Sequence, residues 1–390
     1  MDTTFYKYFK GLDGLRFIAA TAVLAHHVEL IKADLGFLNF SGTRFFTDLG
    51  PIGVTFFFVL SGFLITYLLL KEKRTTASLS LRNFYFRRAF RILPLYYLIT
   101  FLSFFILPLF GFFDQPFFSD RLSQEFHYKL FLYLILLPQI VFIQFPNAPI
   151  PYGVVAWSIG VEEQFYLLWP IIIKWLKGYW FMFFFIFVLF SILPIFLQFL
   201  STLFPTSIGN DMYINFFKKY LETLRFSCMA LGGALALALI ENRKTILDIL
   251  YNRYLQLACF CLLLVLLKWG YPFTYFKHEI YSVIFGVIIL NAATNNENGI
   301  NKMLSYILDS KFFTLMGVRS YGIYMYHMIG IQIAVKLYMA LFGAADMSIL
   351  TNIIFYSFCL LFTFIISVAS YKWFEVPILN VRRSFLTRAQ

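Results

Sequence analysis

The stretch Gly11–Val28, GLDGLRFIAATAVLAHHV, decides how this chain is read. It has the apolar run of a helix, yet it holds an arginine near its start and two histidines near its end. A charged group at membrane depth costs roughly 2.5–3.5 kcal/mol on insertion scales, so such residues are functional candidates by default. Arg16 and His27 lie eleven residues apart. On an ideal helix that is about 20° past three full turns, which puts both side chains on one face, roughly 16 Å apart along the axis. His26 points about 100° away from His27. Asp13, one turn before Arg16, can pair with it or help cap the helix start.

Composition sets the surroundings of that helix. Of 390 residues, 60% are hydrophobic and 13% charged, against about 25% charged in a soluble domain. With a mean hydropathy of +0.75, the chain reads as a polytopic membrane protein. The formal charge of +12 fits a positive cytoplasmic face better than a nucleic-acid surface, because no basic low-complexity run or RNA-type motif accompanies it. Cys228, Cys259, Cys261 and Cys359 all sit in apolar segments without metal or redox spacing, so they read as small buried hydrophobes. Met1–Lys10 is short and basic, and the next segment is too polar for a signal h-region, so no cleavable leader is expected.

Eleven apolar segments follow, at about 14–32, 52–70, 92–112, 128–145, 157–176, 179–200, 224–241, 254–270, 279–294, 320–342 and 350–371. Basic residues flank them unevenly. Lys7 and Lys10 precede the first; Lys71, Lys73, Arg74, Arg82, Arg87, Arg88 and Arg91 follow the second; Arg382, Arg383 and Arg388 close the chain. By the positive-inside rule, both termini and the 71–91 loop are cytoplasmic. Eleven crossings would separate the termini, so one segment fails to span. The choice falls on 128–145, which holds Pro138, Gln139 and Gln144 and runs into the loop FPNAPIPYG. Irregular backbone at membrane depth must be buried in protein. The expected fold is therefore all-α and polytopic, with about ten transmembrane helices plus one re-entrant or interfacial segment and both termini cytoplasmic. One transmembrane domain, residues 1–380, is followed by a short basic tail, 381–390.

Four further motifs carry polar groups. In GVTFFFVLSGFLI, Ser61 and Gly62 are small residues that permit close helix contact; without a G-x-S-x-G elbow or a nearby Asp, packing outweighs a nucleophilic role for Ser61. In LRNFYFRRAFRILPLYY, Arg88 and Arg91 share a helix face, as do Arg87 and Arg91. They serve either as a topology anchor or as an anion site, since arginines grip phosphate bidentately. Pro94 is expected to stop or kink that helix. In VVAWSIGVEEQFYLLWP, Ser158, Glu162 and Tyr166 follow one another at i, i+4 spacing on one face. Glu162 is read as functional. Glu163, off that face, is read as a dipole partner at an aqueous border. In MGVRSYGIYMYHMIG, Tyr324 and His327 share a face; His327 is a candidate second ionisable group inside the bundle, with a hydrogen-bonded structural role favoured. Arg225 can snorkel at a span start, Gly232-Gly233 suggests close packing, and Glu375 reads as the cytoplasmic end of the last span. His127 and His278 attract no role. No two histidines have a metal-binding spacing with a carboxylate, so no metal site is expected.

Taken in order, LDGLRFIAATAVLAHH, FFFVLSGFLI, FYFRRAFRILPLYY, WSIGVEEQFYLLWP, RFSCMALGGALA, YGIYMYH and WFEVP resemble the acyltransferase-3 family of bacterial membrane acyltransferases, across nearly the whole chain. The family pattern has one histidine followed by an aromatic; here His26 precedes His27 and Val28 follows, so spacing selects His27 with His26 as the alternative. The resemblance implies ten membrane helices in the bacterial inner (cytoplasmic) membrane. It also implies transfer of an acyl group, acetyl by the family's default, from cytoplasmic acyl-CoA to a glycan or lipid-linked glycan hydroxyl. Many members carry a fused SGNH domain; the chain to Gln390 has none and reads as a stand-alone member. On this reading His27 is the general base, Arg16 positions the donor or the site's charge, and Arg87, Arg88 and Arg91 hold the phosphates of acetyl-CoA. Glu162, with Ser158, engages the sugar or orients the base, and Tyr166 and Ser61 line the acceptor side. Membrane lipids are partners and nucleic acid is not. O-antigen or other lipopolysaccharide, exopolysaccharide, peptidoglycan, a macrolide-like small molecule and a lipid-linked sugar all stay open as acceptors. The competing classes are a proton-coupled transporter of a sugar or small molecule, which would also place His, Arg and Glu in spans, and a polysaccharide-export partner without turnover. Against the transporter, the chain has no repeat halves.

Overall fold

A computed structural model describes residues 9–114, 122–204, 212–294, 299–343 and 348–388. Lys7 and the side chains of Lys10, Arg383 and Arg388, used above to orient the termini, fall outside the described residues. Every regular element described is helical: α1 (Lys10–Asp34), α2 (Arg44–Thr76), α3 (Leu81–Phe101), α4 (Phe126–Leu134), α5 (Pro138–Gln144), α6 (Ala156–Trp175), α7 (Tyr179–Leu203), α8 (Met212–Leu224), α9 (Phe226–Ile240), α10 (Lys244–Leu250), α11 (Arg253–Trp269), α12 (Lys277–Thr294), α13 (Gly299–Leu308), α14 (Lys311–Val318), α15 (Ser320–Phe342), α16 (Ile349–Ser370) and α17 (Val376–Arg388). Lipid leaves backbone groups no solvent partner, so apolar runs of this length close their hydrogen bonds internally.

Seven helical stretches among the described residues are long and apolar enough to cross a membrane, and an eighth is added if α10 and α11, bent by 52°, count as one span. Two expected spans fall short of that criterion. In α6 the run Glu162-Glu163-Gln164 lowers the hydropathy, and in α12 the polar start Lys277–Glu279 lies inside the helix. The segment expected not to cross is broken. α4 and α5 are separated at Ile135–Leu137, where Leu136 adopts φ +63°. The carbonyls freed there are satisfied from α3. Tyr96 Oη donates to Tyr133 O (2.8 Å) and Tyr97 Oη to Leu134 O (3.0 Å). Lys129 is fully buried beside them, donating to Ala148 O at 3.0 Å with its ammonium 4.6 Å from the Phe145 ring centre. Pro94 does not stop α3, which runs on to Phe101 and continues as a π-helical turn, Leu102–Ile106. In a bilayer the remaining intrahelical bonds have no competing water, so a single missing N–H is tolerated.

The chain divides into two compact units. The first comprises the chain up to Ala19, Pro51–Leu79 and Gln164–Val318; the second comprises Ala20–Gly50, Ser80–Glu163 and Arg319–Gln390. In the first unit α2 and α9 touch backbone to backbone. A Cβ on Gly62 would run into the Met229 carbonyl, and one on Gly232 into that of Val59. The close packing expected of Gly62 and of the Gly232-Gly233 pair is therefore present. In the second unit α15 and α16 pack along their lengths, and Gly330 admits Thr363 at their closest approach.

Candidate active site

The second unit carries two hydrogen-bonded pairs of polar side chains, joined through the Tyr324 carbonyl, on the apolar helices α1, α6 and α15. His27 Nδ1 lies 2.9 Å from Val23 O and 3.1 Å from His327 Nε2. His327, with no exposed surface, holds its own Nδ1 2.6 Å from Tyr324 O. A carbonyl only accepts, which assigns the protons. His327 carries its hydrogen on Nδ1, so its Nε2 is a lone pair. His27 must then carry its hydrogen on Nδ1 and share it between Val23 O and His327 Nε2. The Nε2 of His27 is left with a lone pair and no hydrogen bond to any described residue. The two rings stand 4.9 Å apart, tilted by 48°.

One turn back along α15, Tyr324 Oη lies 2.7 Å from Ser158 Oγ and 3.2 Å from Val155 O. Ser158 is buried at the start of α6. His26 is turned elsewhere: its Nδ1 lies 2.7 Å from Phe46 O, and its ring fills the space left by the missing side chain of Gly50. Among the described residues, His27 is hydrogen-bonded to another side chain and His26 is not.

Beyond Ser158, charged residues gather from α6, α3, the start of α15 and the Tyr371–Glu375 turn after α16. Glu163 lies in the field of Glu162 and Arg88, and Glu375 in that of Arg91 and Arg319. Tyr321 sits among them, in the field of Glu163, Glu375 and Glu162, and donates its hydroxyl to Ile92 O at 2.9 Å. This corrects the reading of Glu163. The first turn of α6 holds no acidic residue, so neither glutamate is an N-terminal dipole partner. Glu163 turns one buried oxygen into protein without a hydrogen-bond partner. Glu375 is likewise part of this layer and not merely a helix end. Arg88 also lies 5.9 Å over the Phe84 ring.

The first unit holds the other expected residues. Arg16 is paired with Asp13 at 2.7 Å, the partner its spacing suggested. Tyr166 donates to Ser61 Oγ at 3.0 Å, beside the close contact at Gly62.

One group escaped sequence reading. Glu29 and Lys32 form an ion pair at 2.6 Å with side chains 1% and 0% exposed. Lys32 also donates to Asn352 Oδ1 (3.1 Å), and Glu29 accepts from Tyr356 Oη (2.5 Å) and from the Phe40 amide. Opposite charges at i, i+3 near a helix end look like a solvated border; nothing local marks them as buried. Among the described residues no group of three His, Cys, Asp or Glu side chains could hold a metal ion.

Comparison with known proteins adds to this geometry. A family described as an acyltransferase domain matches residues 9–372. Peptidoglycan O-acetyltransferase OatA of Listeria monocytogenes is 28% identical over 340 residues, covering 82% of this chain and 49% of that protein. Bacillus subtilis YrhL, a candidate peptidoglycan O-acetyltransferase, is 33% identical over 172 residues, which is 43% of this chain and 24% of YrhL. A candidate O-acetyltransferase of Staphylococcus aureus is 32% identical over 174 residues, 43% of this chain and 25% of its own length. The chain thus spans half or less of the length of these relatives. No solved structure matches it.

Proposed function

Because the chain belongs to this acyltransferase-domain family, we propose that it is a multi-pass membrane O-acetyltransferase that moves an acetyl group from cytoplasmic acetyl-CoA to a hydroxyl of a cell-wall glycan. Peptidoglycan is the acceptor favoured by the names of its relatives. The observation that carries the reading is the tautomer of His27, whose Nδ1–H is engaged and whose Nε2 lone pair is available as a base. The acceptor hydroxyl gives its proton to Nε2 while its oxygen attacks the thioester carbonyl. The carbon–sulfur bond then breaks, and the imidazolium returns the proton to the sulfur, releasing the free thiol of CoA. His327 accepts from the imidazolium at Nδ1 and keeps the ring oriented.

The arginine layer is the donor end of this scheme. Arg88 and Arg91 offer planar donors for CoA phosphates, with Arg87 and Arg319 as further positive charge. Ser158 and Tyr324 orient the acceptor side. The role of Arg16 rests on the family pattern alone, and the Ser61–Tyr166 bond is read as a helix-to-helix clamp. We count α6 and α12 as spans, which makes ten. Their 20 and 18 residues reach roughly 27–30 Å, about the thickness of the hydrocarbon core. The basic ends face the cytoplasm.

The test uses membranes bearing the protein, acetyl-CoA labelled in the acetyl group, and purified peptidoglycan strands. Label that enters the strands and leaves as acetate under mild alkali supports the reading. Saturable uptake of a sugar that needs no acetyl-CoA, with no labelled ester, contradicts it.

A further inference from the structure

The first unit contains a second polar cluster that the scheme above does not use. Thr55, fully buried on α2, directs its hydroxyl to Pro51 O at 3.0 Å and lies 2.8 Å from His278 Nδ1. Arg225 Nη1 donates to the same carbonyl (2.9 Å) and to the Thr55 hydroxyl (3.1 Å). With the threonine proton on Pro51 O, His278 donates from Nδ1, and its Nε2 becomes an open acceptor. Next to it, Glu279 Oε1 accepts from Ser227 (2.8 Å) and Ser191 (3.2 Å), while no described residue bonds its Oε2. Two acceptor atoms thus stand on adjacent residues at the start of α12.

The loop leading into them is aromatic. In Tyr271–Phe276, YPFTYF, Phe273 is 71% exposed, and Tyr275 and Phe276 are also exposed. Tyr271 packs its ring on Phe273 at 5.6 Å and lies in the field of Glu279. Phe276 adopts φ +63°, a conformation rarely held by a bulky side chain without a structural reason.

The position of this cluster along α2 gives its side of the membrane. Thr55 binds His278 about a third of the way along the helix, and Arg74 donates to Ile240 O near its C-terminal end. Nineteen residues of helix separate them, about 28 Å, close to the thickness of the hydrocarbon core. The Arg74 end holds Lys71, Lys73, Arg243 and Lys244 and is the cytoplasmic one by charge. The aromatic loop is therefore extracytoplasmic.

We propose that the 271–279 segment is a glycan-binding subsite on the extracytoplasmic end of the first unit, where Phe273 and Tyr271 stack on sugar faces while His278 and Glu279 accept sugar hydroxyls. The proposal rests on the glycan-acceptor reading above and adds where the acceptor chain is held. Sugar rings present apolar faces and donor hydroxyls, and exposed aromatics beside unpartnered acceptors match both. A membrane-interface belt is the competing account of the rings, but it gives no use to the two open acceptors.

The test compares the full chain in nanodiscs with Phe273→Ala and His278→Asn, using a β-1,4-linked N-acetylhexosamine tetrasaccharide as the probe and Tyr306→Ala, on exposed α13, as the control. Binding is read by calorimetry and acetyl transfer by label. Both loop variants should bind the tetrasaccharide at least tenfold more weakly, while the control matches wild type. Phe273 is so exposed that its replacement leaves the fold intact, which keeps the test valid if His278→Asn proves unstable. Unchanged binding in Phe273→Ala, with the tetrasaccharide still acetylated, overturns the subsite alone. So does a variant whose only defect is weaker association with lipid vesicles. Wild type that neither binds nor acetylates any glycan overturns both readings. Binding that depends on the loop, without any acetyl transfer, upholds the subsite and removes the acyltransferase reading.

Discussion

His27 and His327, 300 residues apart in sequence, share one hydrogen bond of 3.1 Å between Nδ1 and Nε2. Its direction follows from the Tyr324 and Val23 carbonyls on either side. This fixes the tautomer of His27 and makes His327 a positioning residue. Removing it with His327→Ala should lower acetyl transfer roughly 10–100-fold, a part of the roughly 10²–10⁴-fold that a positioned base contributes. His327→Gln, whose amide oxygen can still accept from Nδ1, should recover part of the loss. A steady-state comparison of kcat in the two variants checks this, and equal loss in both would mean the cavity and not the bond is responsible.

The Tyr324–Ser158 contact should matter less. Tyr324→Phe deletes the bond to Ser158 Oγ and leaves Ser158 its bond to Val155 O at 3.3 Å. A net hydrogen bond is worth about 1 kcal/mol, so the expected change is roughly fivefold in kcat/KM for the acceptor. Affinity for acetyl-CoA should be unaffected, as measured by calorimetry on the same preparation.

Arg88 and Arg91 should act on the donor. Each charge-assisted bond to phosphate is worth about 1.5–3 kcal/mol, so Arg88→Ala and Arg91→Ala should each raise the KM for acetyl-CoA about tenfold or more. The KM for acetyl-pantetheine, which lacks the nucleotide phosphates, should stay the same.

The buried Glu29–Lys32 pair should act on stability. Lys32→Met leaves a carboxylate with 1% exposure and no counter-charge in the pair, at a cost of roughly 3–5 kcal/mol. The double change Glu29→Gln with Lys32→Met should recover most of that. Thermal unfolding of the purified variants in one detergent would record the order wild type, double, single. A single variant as stable as wild type would contradict it.

How much of this was legible in the sequence depended on range. Helix positions followed from apolar runs, and the span 320–342 coincides with α15. The broken segment 128–145 was marked by Pro138 and its polar neighbours, because a lost N–H and loop-forming residues leave a local signal. Arg16 with Asp13, and Ser158 with Glu162 on one helix, were readable because helical spacing is local. The partners of His27 were not readable in that way. His327 and Tyr324 belong to a helix 300 residues on, and only the packing of α15 against α1 and α6 within the second unit gives them a role. Glu163 was misjudged for the same reason: its burial, and the charge of Arg88 on α3 beside that of its neighbour Glu162, come from packing that helical spacing does not show. The Glu29–Lys32 pair drew no reading because burial is a property of what covers a helix end.

The most direct test is acetyl transfer by wild type and His27→Ala in the same membranes, with labelled acetyl-CoA and peptidoglycan strands, and donor binding measured alongside. The expected result is a loss of roughly 10²–10⁴-fold in transfer with donor binding retained. Transfer by His27→Ala at the wild-type rate would contradict the assignment of the base and, with it, the reaction scheme built on the His27–His327 bond.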